Sequence, residues 1–482
     1  MLLLTFSLYL GLIALIGYWS FKQTKTISDY ILGGRKLSAL PSALSAGASD
    51  MSGWLLLGLP GAAFVAGLSA SWIAIGLLIG TSLNWLLVAK RMRIFSAAAD
   101  DSLTIPDYLE NRFADHSHVL RVLSAFVILF FFLIYTSSGL VASGKLFATV
   151  FGIDYQLAVI IGTLAVVSYT SFGGFLAVSW TDVLQGLLML LALVLVPIVV
   201  FSSLGGVNET VRQIEATNPN LLQFFRDSDG STLGAIAIIS SLAWGLGYFG
   251  QPHILSRFMA IKSSEEVPKA AFIAISWTTL TLLGAVFVGV VAIVYLQTPP
   301  TDSESVFMLM IDSAFHPLIA GVLLAAILAA IMSTADSQLL VCSSTIAEDF
   351  YRALFNEDVD QKTLVRIGRI AVGIIALIAA VIALNPDSKV LTMVSYAWAG
   401  FGAAFGPAII FSLYWPAMTR NGALAGIIVG AVTVVVWRQL SGGIYNTYEL
   451  VPAFIFSCLS IIVISRITPK RIVAAEKLFS SR

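Results

Sequence analysis

The sequence predicts an all-α integral membrane protein with about thirteen transmembrane helices. Of its 482 residues, 58% are hydrophobic and only 11% are charged, whereas soluble chains carry roughly 25% charged residues. Apolar runs of roughly 18 or more residues recur along the chain, and each is long enough to cross a hydrocarbon core of about 30 Å as a helix. The roughly ten-residue segments of alternating polarity that are typical of a transmembrane β-barrel do not occur.

The candidate spans follow the apolar runs in chain order. They lie near residues 2–20, 38–68, 71–89, 119–148, 155–172, 178–204, 233–254, 270–297, 317–345, 367–384, 389–415, 421–438 and 449–466. Because the connecting segments are too short to fold separately, residues 1–482 are expected to form a single transmembrane transporter domain. Cys342 and Cys458 both lie in apolar segments, so packing is the favoured interpretation and no disulfide framework is implied.

Charge is balanced over the whole chain but not between the two sides of the predicted bundle. Lys plus Arg and Asp plus Glu each number 27, which argues against a nucleic-acid partner. Nearly all Lys and Arg fall on one side, which the positive-inside rule makes cytoplasmic. The amino terminus is therefore expected outside the cell and the carboxyl terminus in the cytoplasm. The basic residues left for the outer side are Lys145, Arg212, Arg226, Lys389 and Arg438.

One long apolar run is interrupted between Gly47 and Trp54, and the interruption carries Asp50. An aspartate at the centre of a transmembrane helix costs about 2.5–3.5 kcal/mol, so a partner has to stabilise it. A cation is one such partner, because unwinding at Gly47 and Gly53 would free carbonyl oxygens for a hard ion such as sodium. The alternative is a buried aspartate bonded to amides, hydroxyls or an arginine. An intramembrane acid beside two glycines favours a functional role.

A second apolar run is interrupted between Trp244 and His253, where three glycines and a proline occur. Trp244 and Tyr248 are four residues apart, so on an α-helix they would share a face and could line a cavity. Aromatic packing between helices is an equally weighted alternative. Pro252 leaves a backbone carbonyl without its helical donor, which supplies an acceptor or a hinge.

The two interruptions lie roughly 200 residues apart, and each opens a set of about five spans. This arrangement is typical of an inverted repeat whose broken helices meet at the bilayer midplane, and it favours a transporter. A third feature is a face of small, oxygen-bearing residues with helical spacing. By itself it indicates close helix packing more often than an ion site. Its members are Ala330, Ser333, Thr334 and Ser337.

Other chemistries find little support in the sequence. The four histidines occur singly or in loops, so solvated or capping roles are expected and no metal centre. No glycine-rich loop is followed by a Lys-Ser or Lys-Thr pair, so ATP-driven transport has no visible site. No catalytic set of acids, metal ligands or nucleophile and base can be assembled from the spans, which disfavours an enzyme. The histidines are His116, His118, His253 and His316.

At these residues the chain resembles the sodium/solute symporter family and, within it, the members that carry proline. The resemblance runs through residues 29–35, 43–54 and 173–182, then through the Trp244 to His253 segment and the Ser333-Thr334 pair. It covers nearly the whole chain. It implies a five-plus-five inverted-repeat core of broken helices, with one extra helix before the core and two after it. The core repeats would lie at about 38–204 and 233–415, and the peripheral helices at about 2–20, 421–438 and 449–466.

The resemblance also implies the binding sites. In this family the sodium site lies between the first broken helix and the eighth core helix. The implied sodium ligands are Ala48, Asp50, Met51, Ala330, Ser333 and Thr334, through carbonyls, hydroxyls and the Asp50 carboxylate. Proline would lie among aromatic walls and half-helix ends, which can hold a small zwitterion. The implied proline site comprises Ser52, Gly53, Trp54, Tyr135, Trp244, Tyr248 and Pro252.

Three further residues are assigned to gating and coupling. Arg35 resembles a family position tied to coupling and to the inward gate, and Asp182 ends one of the matching motifs. Asp336 is an acid that departs from the motif following the Ser-Thr pair. We hypothesise that Asp336 faces the cytoplasmic ion exit and eases sodium release.

The implied function is sodium-coupled uptake of L-proline by alternating access across a bacterial inner (plasma) membrane. Sodium would be the co-transported ion, and no obligate protein partner is evident. The nearest alternative keeps the fold but carries another amino acid, a sugar or pantothenate. The set of Trp244, Tyr248 and Pro252 favours proline over these. A solute-binding membrane sensor is a further alternative, although such a protein would ordinarily carry a soluble signalling domain.

Overall fold

The computed structural model describes residues 2–21, 26–355 and 359–468. Within these ranges the chain forms α-helices joined by short 3-10 and π-helical segments, and no β-strand is present. The α-helices are α1 Leu2–Phe21, α2 Ile27–Leu32, α3 Ala39–Asp50, α4 Leu59–Ala66, α5 Ser71–Leu83, α6 Lys90–Ala98, α7 Ile105–Phe113, α8 Val119–Phe151, α9 Tyr155–Ser203, α10 Val207–Thr217, α11 Ala235–Leu242, α12 Pro252–Ala260, α13 Val267–Tyr295, α14 Val306–Ala314, α15 Pro317–Ser344, α16 Gln361–Ala383, α17 Val390–Tyr414, α18 Arg420–Trp437 and α19 Leu450–Ile467.

Short helical segments of other types extend or connect these helices. The π-helical segments, which carry one extra residue per turn, are Trp54–Gly58, Asn84–Ala89 and Thr345–Arg352. The 3-10 segments are Gly33–Arg35, Gly67–Ala70, Pro219–Leu222, Ala243–Gly250, Ser303–Ser305 and Gly443–Asn446. The orientation prediction also uses Lys22, Lys25, Lys470, Arg471, Lys477 and Arg482 on the cytoplasmic side, and these lie outside the described residues.

Ten helices or joined helices in the described part of the chain are long and apolar enough to cross a membrane. Tyr155–Ser168 and Ala235–Gly250 are apolar but shorter. The predicted helical, multi-spanning fold is confirmed, and the count of thirteen spans stays a prediction. The ten are Leu2–Trp19, Trp54–Ala98, Val119–Phe151, Gly174–Ser203, Val267–Tyr295, Pro317–Arg352, Gln361–Ala383, Val390–Tyr414, Arg420–Trp437 and Leu450–Ile467.

Two of the predicted spans meet at a kink. The spans predicted at 155–172 and 178–204 belong to one long helical run, α9, in which Gly174 alone has non-helical dihedral angles, with φ 67° and ψ 178°. A positive φ of this size is accessible to glycine without the steric cost that a side chain would add. Gly174 therefore redirects the chain without a separate loop.

The sequence from Thr104 to Phe113, with Pro106 near a plausible helix start, predicts a short interfacial helix, and a helix is present there as α7. The hydroxyl of Thr104 accepts a hydrogen bond from the amide of Asp107 at 3.1 Å, and Pro106 lies in the first turn. Both features are typical of a helix amino terminus, because they satisfy or remove amides that have no intrahelical partner.

From the sequence alone, a solvated loop surface is expected for the acids of the 298–316 segment, but not all of them are solvated. Glu304 is buried, and it accepts hydrogen bonds from Lys145 Nζ at 2.6 Å and from the amide of Val390 at 3.0 Å. Asp302 accepts from Lys145 and also from Lys389, at 2.7 and 2.9 Å. Partial burial works against ionisation of Asp302, but these two cations outweigh it and lower its pKa. The prediction of a purely solvated surface is wrong for Glu304, because this segment folds back onto the amino terminus of α17.

Glycines allow α5 to lie directly against the second interrupted segment. A Cβ atom placed on Gly80 would overlap the backbone of Gly245, and one placed on Gly76 would overlap the backbone of Leu242. Close approach of this kind drives helix association where no water is available to be expelled. The second interrupted segment is therefore held against α5 by backbone contact.

We expect Gly80→Ala to lower the thermal unfolding midpoint of the purified protein, because overpacking at a tight contact costs about 1–3 kcal/mol. Gly373→Ala is the matched control, since Gly373 lies in α16 with nothing within 4 Å of its added Cβ. The control should be neutral or slightly stabilising, because alanine favours helix over glycine by about 1 kcal/mol. Equal midpoints for both variants would contradict the close contact.

Candidate functional site

The first interruption separates α3 from the helical run that begins at Trp54. Met51 ends α3 with φ −85° and ψ 79°, which are not helical values. The amide of Ser52 bonds the carbonyl of Asp50 at 3.0 Å, two residues back instead of four. The helical hydrogen-bond ladder is therefore broken immediately after Asp50, at the position that the sequence predicted.

Asp50 is buried and lies at the meeting point of three polar aromatic side chains. The hydroxyl of Tyr248 donates to Asp50 Oδ2 at 2.6 Å. The hydroxyl of Tyr135 and the indole nitrogen of Trp54 donate to the Asp50 carbonyl at 3.1 and 3.2 Å. All four residues are buried. Of the alternatives considered for this acid, a hydroxyl partner is the one observed.

The oxygen-bearing face of α15 lies against the end of α3. The carbonyl of Ala48 accepts hydrogen bonds from Ser333 Oγ at 2.7 Å and from Thr334 Oγ1 at 3.3 Å. Ser333 Oγ also lies 3.1 Å from the carbonyl of Ala330. Two carbonyl and two hydroxyl oxygens thus converge, a set of hard donors suited to an alkali cation.

Two of the predicted sodium ligands are not joined to this oxygen cluster. In the described part of the chain, no hydrogen bond links the Asp50 carboxylate or Met51 to Ala48, Ser333 or Thr334. The sulfur of Met51 lies 3.6 Å from Thr281 Oγ1. Hydrogen bonds therefore link four of the six predicted residues, and Asp50, two residues further along α3, has one carboxylate oxygen without a hydrogen-bond partner among the described residues.

The second interruption is a 3-10 segment, Ala243–Gly250, followed by an extended residue, Gln251, and by α12. Pro252 is the first residue of α12, where its lack of an amide hydrogen costs nothing. The side-chain amide of Gln251 donates to the carbonyls of Gly247 and Trp398 at 3.1 and 3.3 Å. The predicted loss of helix continuity is confirmed.

Trp244 and Tyr248 point in different directions, because the segment that carries them is 3-10 helical and the α-helical spacing on which a common face depended does not apply. A 3-10 helix has three residues per turn, so residues four apart point about 120° away from each other. The ring of Trp244 lies 6.3 Å from that of Trp54 and stacks on Tyr448 at 5.6 Å. Tyr248 instead meets the edge of Trp398 at 5.1 Å.

Trp398 was not predicted and is central to the second interruption. Its indole nitrogen donates to the carbonyl of Trp244 at 2.7 Å, and a Cβ on Gly247 would overlap its ring. Trp398 therefore supplies a donor to backbone that the 3-10 segment leaves unpaired. Nothing in its local sequence indicates this, because its partners lie about 150 residues away.

The remaining predicted substrate residues line the first break. Gly53 approaches α8 so closely that an added Cβ would lie 2.6 Å from Ala142 Cβ. Ser52 is buried, and its hydroxyl lies 3.4 Å from the amide of Trp54. The break, Tyr135 of α8 and the second interruption therefore surround one central region.

A buried ion pair lies nearer the end of α12. Arg257 is fully buried, and its guanidinium nitrogens lie 3.4 Å from Asp182 Oδ2 and 2.6 Å from Ser337 Oγ. The same guanidinium donates to Ser45 Oγ at 3.0 Å and to the carbonyl of His253 at 2.9 Å. Ser45 in turn donates to Asp182 at 2.6 Å. This inner network joins α3, α9, α12 and α15.

The inner network corrects two sequence interpretations. Arg257 was counted among the basic residues of a cytoplasmic loop, but α12 carries it into the interior. His253 was expected to be solvated or capping, yet it is buried with its ring against the edges of Phe132 and Tyr135. The signal available in the sequence was Pro252, where a new helix begins that carries His253 in its first turn and Arg257 one turn later.

Of the predicted gating residues, Asp182 belongs to the inner network and Asp336 is close to it. Asp336 is fully buried in α15, one turn from Ser333 and next to Ser337, whose hydroxyl donates to it at 3.3 Å. Asp336 therefore lies one turn beyond the oxygen cluster on α15, and Asp182 reaches the same helix from α9 through Arg257, which also bonds Ser337.

Arg35 lies apart from the inner network, in the 3-10 segment Gly33–Arg35. Its guanidinium donates to the carbonyl of Met259 at 2.8 Å and to the carbonyl of Ser102 at 2.7 Å, and it pairs with Asp101 at 2.8 Å. Burial lowers the pKa of Arg35, and Asp101 partly offsets this. Arg35 also has a positive φ of 54°. It ties the segment after α2 to α12 and to the loop after α6.

Comparisons with known proteins agree with this architecture. A model of the Sodium:solute symporter family matches residues 30–430. Among solved structures, a Na+-coupled sialic acid symporter in a substrate-bound outward-open state aligns with a TM-score of 0.82 at 20% identity, covering 97% of this chain and 98% of that one. The nucleobase-cation-symport-1 family transporter Mhp1 aligns with a TM-score of 0.56 at 13% identity, covering 93% and 98%. These two likenesses concern the fold.

Curated relatives are more similar in sequence. The chain is 50% identical to the sodium/proline symporter of Salmonella typhimurium, over 99% of this chain and 95% of that protein. It is 49% identical to the osmoregulated proline transporter OpuE of Bacillus subtilis, over 99% and 97%. Both alignments run through α3, α12 and α15. The chain therefore belongs to the sodium:solute symporter family.

Proposed function

We propose that the protein imports L-proline together with sodium across the bacterial plasma membrane by alternating access. The observation that carries this proposal is the convergence of Ala48, Ala330, Ser333 and Thr334 beside a broken helix that also holds Asp50. An oxygen cluster at a helix break is the form that sodium sites take in carriers of this architecture. Two relatives, a sodium/proline symporter and a proline transporter, support the choice of proline as the cargo.

The sodium site is proposed at the oxygen cluster. Sodium would take the Ala48 carbonyl and the two hydroxyls of α15 as ligands, replacing the hydrogen bonds that they now make to one another. Asp50 lies two residues further along α3 and supplies the negative charge that draws the cation in. The proposed ligand set is Ala48, Asp50, Met51, Ala330, Ser333 and Thr334.

The proline site is proposed between the two interruptions. Proline is a small zwitterion, and a buried region with aromatic walls and broken-helix ends can hold its ring and its carboxylate without a buried cation. The indole rings of Trp54 and Trp244 are neighbours, with centroids 6.3 Å apart, and supply aromatic surface to this region. The proposed set is Ser52, Gly53, Trp54, Tyr135, Trp244, Tyr248 and Pro252.

Coupling is proposed to run through α3. Asp50 receives a hydrogen bond from Tyr248 of the second interruption, and Ala48 receives two from α15. A cation that reorganises the end of α3 therefore alters the contacts of both interruptions, so each ligand changes the affinity for the other. One sodium moving down 100 mV contributes about 2.3 kcal/mol and a tenfold gradient about 1.4 more, enough for a several-hundred-fold accumulation of proline.

The inner gate is proposed to involve Arg35, Asp182 and Asp336. Asp182 is held by Arg257 across α9 and α12, and Arg35 holds the segment after α2 to the end of α12. Opening towards the cytoplasm would have to part these contacts. The proposed orientation has the amino terminus outside and the carboxyl terminus in the cytoplasm. The proposed repeats are 38–204 and 233–415, flanked by helices near 2–20, 421–438 and 449–466.

Liposomes containing the purified protein should accumulate radiolabelled L-proline when an inward sodium gradient is imposed, and should not when potassium replaces sodium. Asp50→Asn should abolish this accumulation, because it removes the charge that attracts the cation. Sodium-driven uptake of a different solute would overturn proline as cargo while leaving the ion site. Absence of uptake for every small solute tested would overturn transport itself.

Ser333→Ala should raise the sodium concentration for half-maximal proline uptake by about tenfold, since it deletes one ligand worth roughly 1.4 kcal/mol. Ser344→Ala is the matched control on the same helix, because that hydroxyl bonds only the carbonyl of Val341, one turn back. The control should leave the sodium dependence unchanged. An unchanged sodium dependence in Ser333→Ala would remove Ser333 from the ion site.

Arg257→Gln should destabilise the protein and stop transport, because it leaves Asp182 as a buried acid without its cationic partner. Breaking one partner of a buried pair typically costs about 3–5 kcal/mol. The double variant Arg257→Gln with Asp182→Asn should regain much of the thermal stability without regaining proline uptake. If the single variant matched the parent protein in unfolding midpoint and in proline uptake, the inner network would be required neither for stability nor for transport.

A further inference from the structure

A pocket of about 240 Å³ lies between the start of α2 and the first turns of α16. It is separate from the central site. The amide of Ile27 donates to Gln361 Oε1 at 3.1 Å, which joins the two walls. The principal lining residues are Thr26 and Ile27 on one wall, and Gln361, Lys362, Arg366 and Arg369 on the other.

The pocket is strongly basic. Lys362, Arg366 and Arg369 follow i, i+4, i+7 spacing and therefore project from one face of α16. None of the described residues that line the pocket is acidic. Among the described residues beside it, two acids are engaged in capping: Asp360 accepts from Thr363 at 2.7 Å, and Asp29 accepts from the amide of Thr26 at 3.1 Å.

Two of the three cations are exposed. Lys362 and Arg366 lie on the surface of α16. In the part of the chain that the structure describes, neither makes a salt bridge or a side-chain hydrogen bond to another residue. Such a cluster repels itself electrostatically, so an anion bound between its members would lower the energy of the protein.

The basic face of α16 continues directly into an apolar face that is turned away from the protein. Ile370, Ile374, Leu377 and Val381 follow Arg366 at helical spacing, and their exposed fractions are 55, 54, 66 and 63%. This stripe extends for about 22 Å from Arg366 at 1.5 Å per residue. It is therefore long enough to accompany an acyl chain through half of a hydrocarbon core of about 30 Å.

We propose that this pocket binds the phosphate headgroup of an anionic phospholipid whose acyl chains lie along the apolar stripe of α16. Arginine guanidinium groups form paired hydrogen bonds with phosphate oxygens, and Lys362 adds a third cation. A basic pocket beside membrane helices is suited to anionic headgroups. Inorganic phosphate shares the headgroup chemistry, but it gains nothing from the apolar stripe. The proposal does not depend on the identity of the transported solute.

The bound lipid would connect α16 to α2. The hydrogen bond from the Ile27 amide to Gln361 joins the first residues of these two helices directly. A phosphate held by Lys362 and Arg366 would fill the gap that Thr26 and Ile27 border and would offset the repulsion between the cations. Binding should therefore stabilise the folded protein, since any ligand that prefers the folded state does so.

The test uses the full-length protein in detergent, with native mass spectrometry to count retained lipid and thermal unfolding to measure protection. Phosphatidylglycerol should be retained and should raise the unfolding midpoint, whereas phosphatidylethanolamine and inorganic phosphate should not. The Lys362→Gln and Arg366→Gln double variant should retain about tenfold less phosphatidylglycerol, because two headgroup cations are lost. Its midpoint without lipid should match that of the parent protein.

The matched control is Lys90→Gln with Lys269→Gln, which removes the same charge from two other exposed lysines. The control should retain phosphatidylglycerol as the parent protein does. Equal loss in both double variants would indicate diffuse charge attraction and overturn a specific site. Equal protection by inorganic phosphate would overturn a lipid as the ligand. A lipid-free midpoint that falls in the test variant would assign the two cations a structural role and also overturn the proposal.

Discussion

A helix that is interrupted at membrane depth must find partners for the amides and carbonyls that the break leaves free. This constraint shapes the centre of the protein. At the first break, Tyr135 and Trp54 donate to the carbonyl of Asp50. At the second, Trp398 and Gln251 donate to carbonyls of the 3-10 segment. The donors are mostly aromatic residues with a polar tip, which fill space and satisfy backbone at once. These side chains thus stabilise backbone that the breaks would otherwise leave unpaired.

The short helix α3 connects the parts of the site. Its last residue, Asp50, bonds Tyr248 on the second interruption; Ala48 bonds α15; and Ser45, one turn earlier, bonds Asp182 and Arg257. A small displacement of α3 would therefore change contacts to α9, α12 and α15 together. Packed interiors pass between discrete arrangements instead of deforming gradually. This geometry is suited to a helix α3 that changes position when a ligand binds at its end.

The features that the sequence predicted well have a local cause. Gly47, Gly53 and Pro252 disfavour continuous helix, and an acid such as Asp50 is expensive in an apolar run, so both interruptions could be located. The features that it missed depend on distant partners. Arg257 resembled a basic residue of a loop, because its partner Asp182 lies 75 residues earlier in the sequence. The 3-10 winding that separates Trp244 from Tyr248 follows from contacts of this segment with α5 and Trp398. Tertiary packing decided these cases.

The turn that holds Arg35 has a further mechanical consequence. Gly33, Gly34 and Arg35 are all left-handed, with φ near 60°, 60° and 54°. Glycine adopts this conformation freely, but a residue with a side chain does so at a cost of about 1–2 kcal/mol. The bonds from Arg35 to Ser102 and Met259 hold it there. Release of these bonds would therefore also allow the backbone at Arg35 to leave a conformation that it holds at a cost.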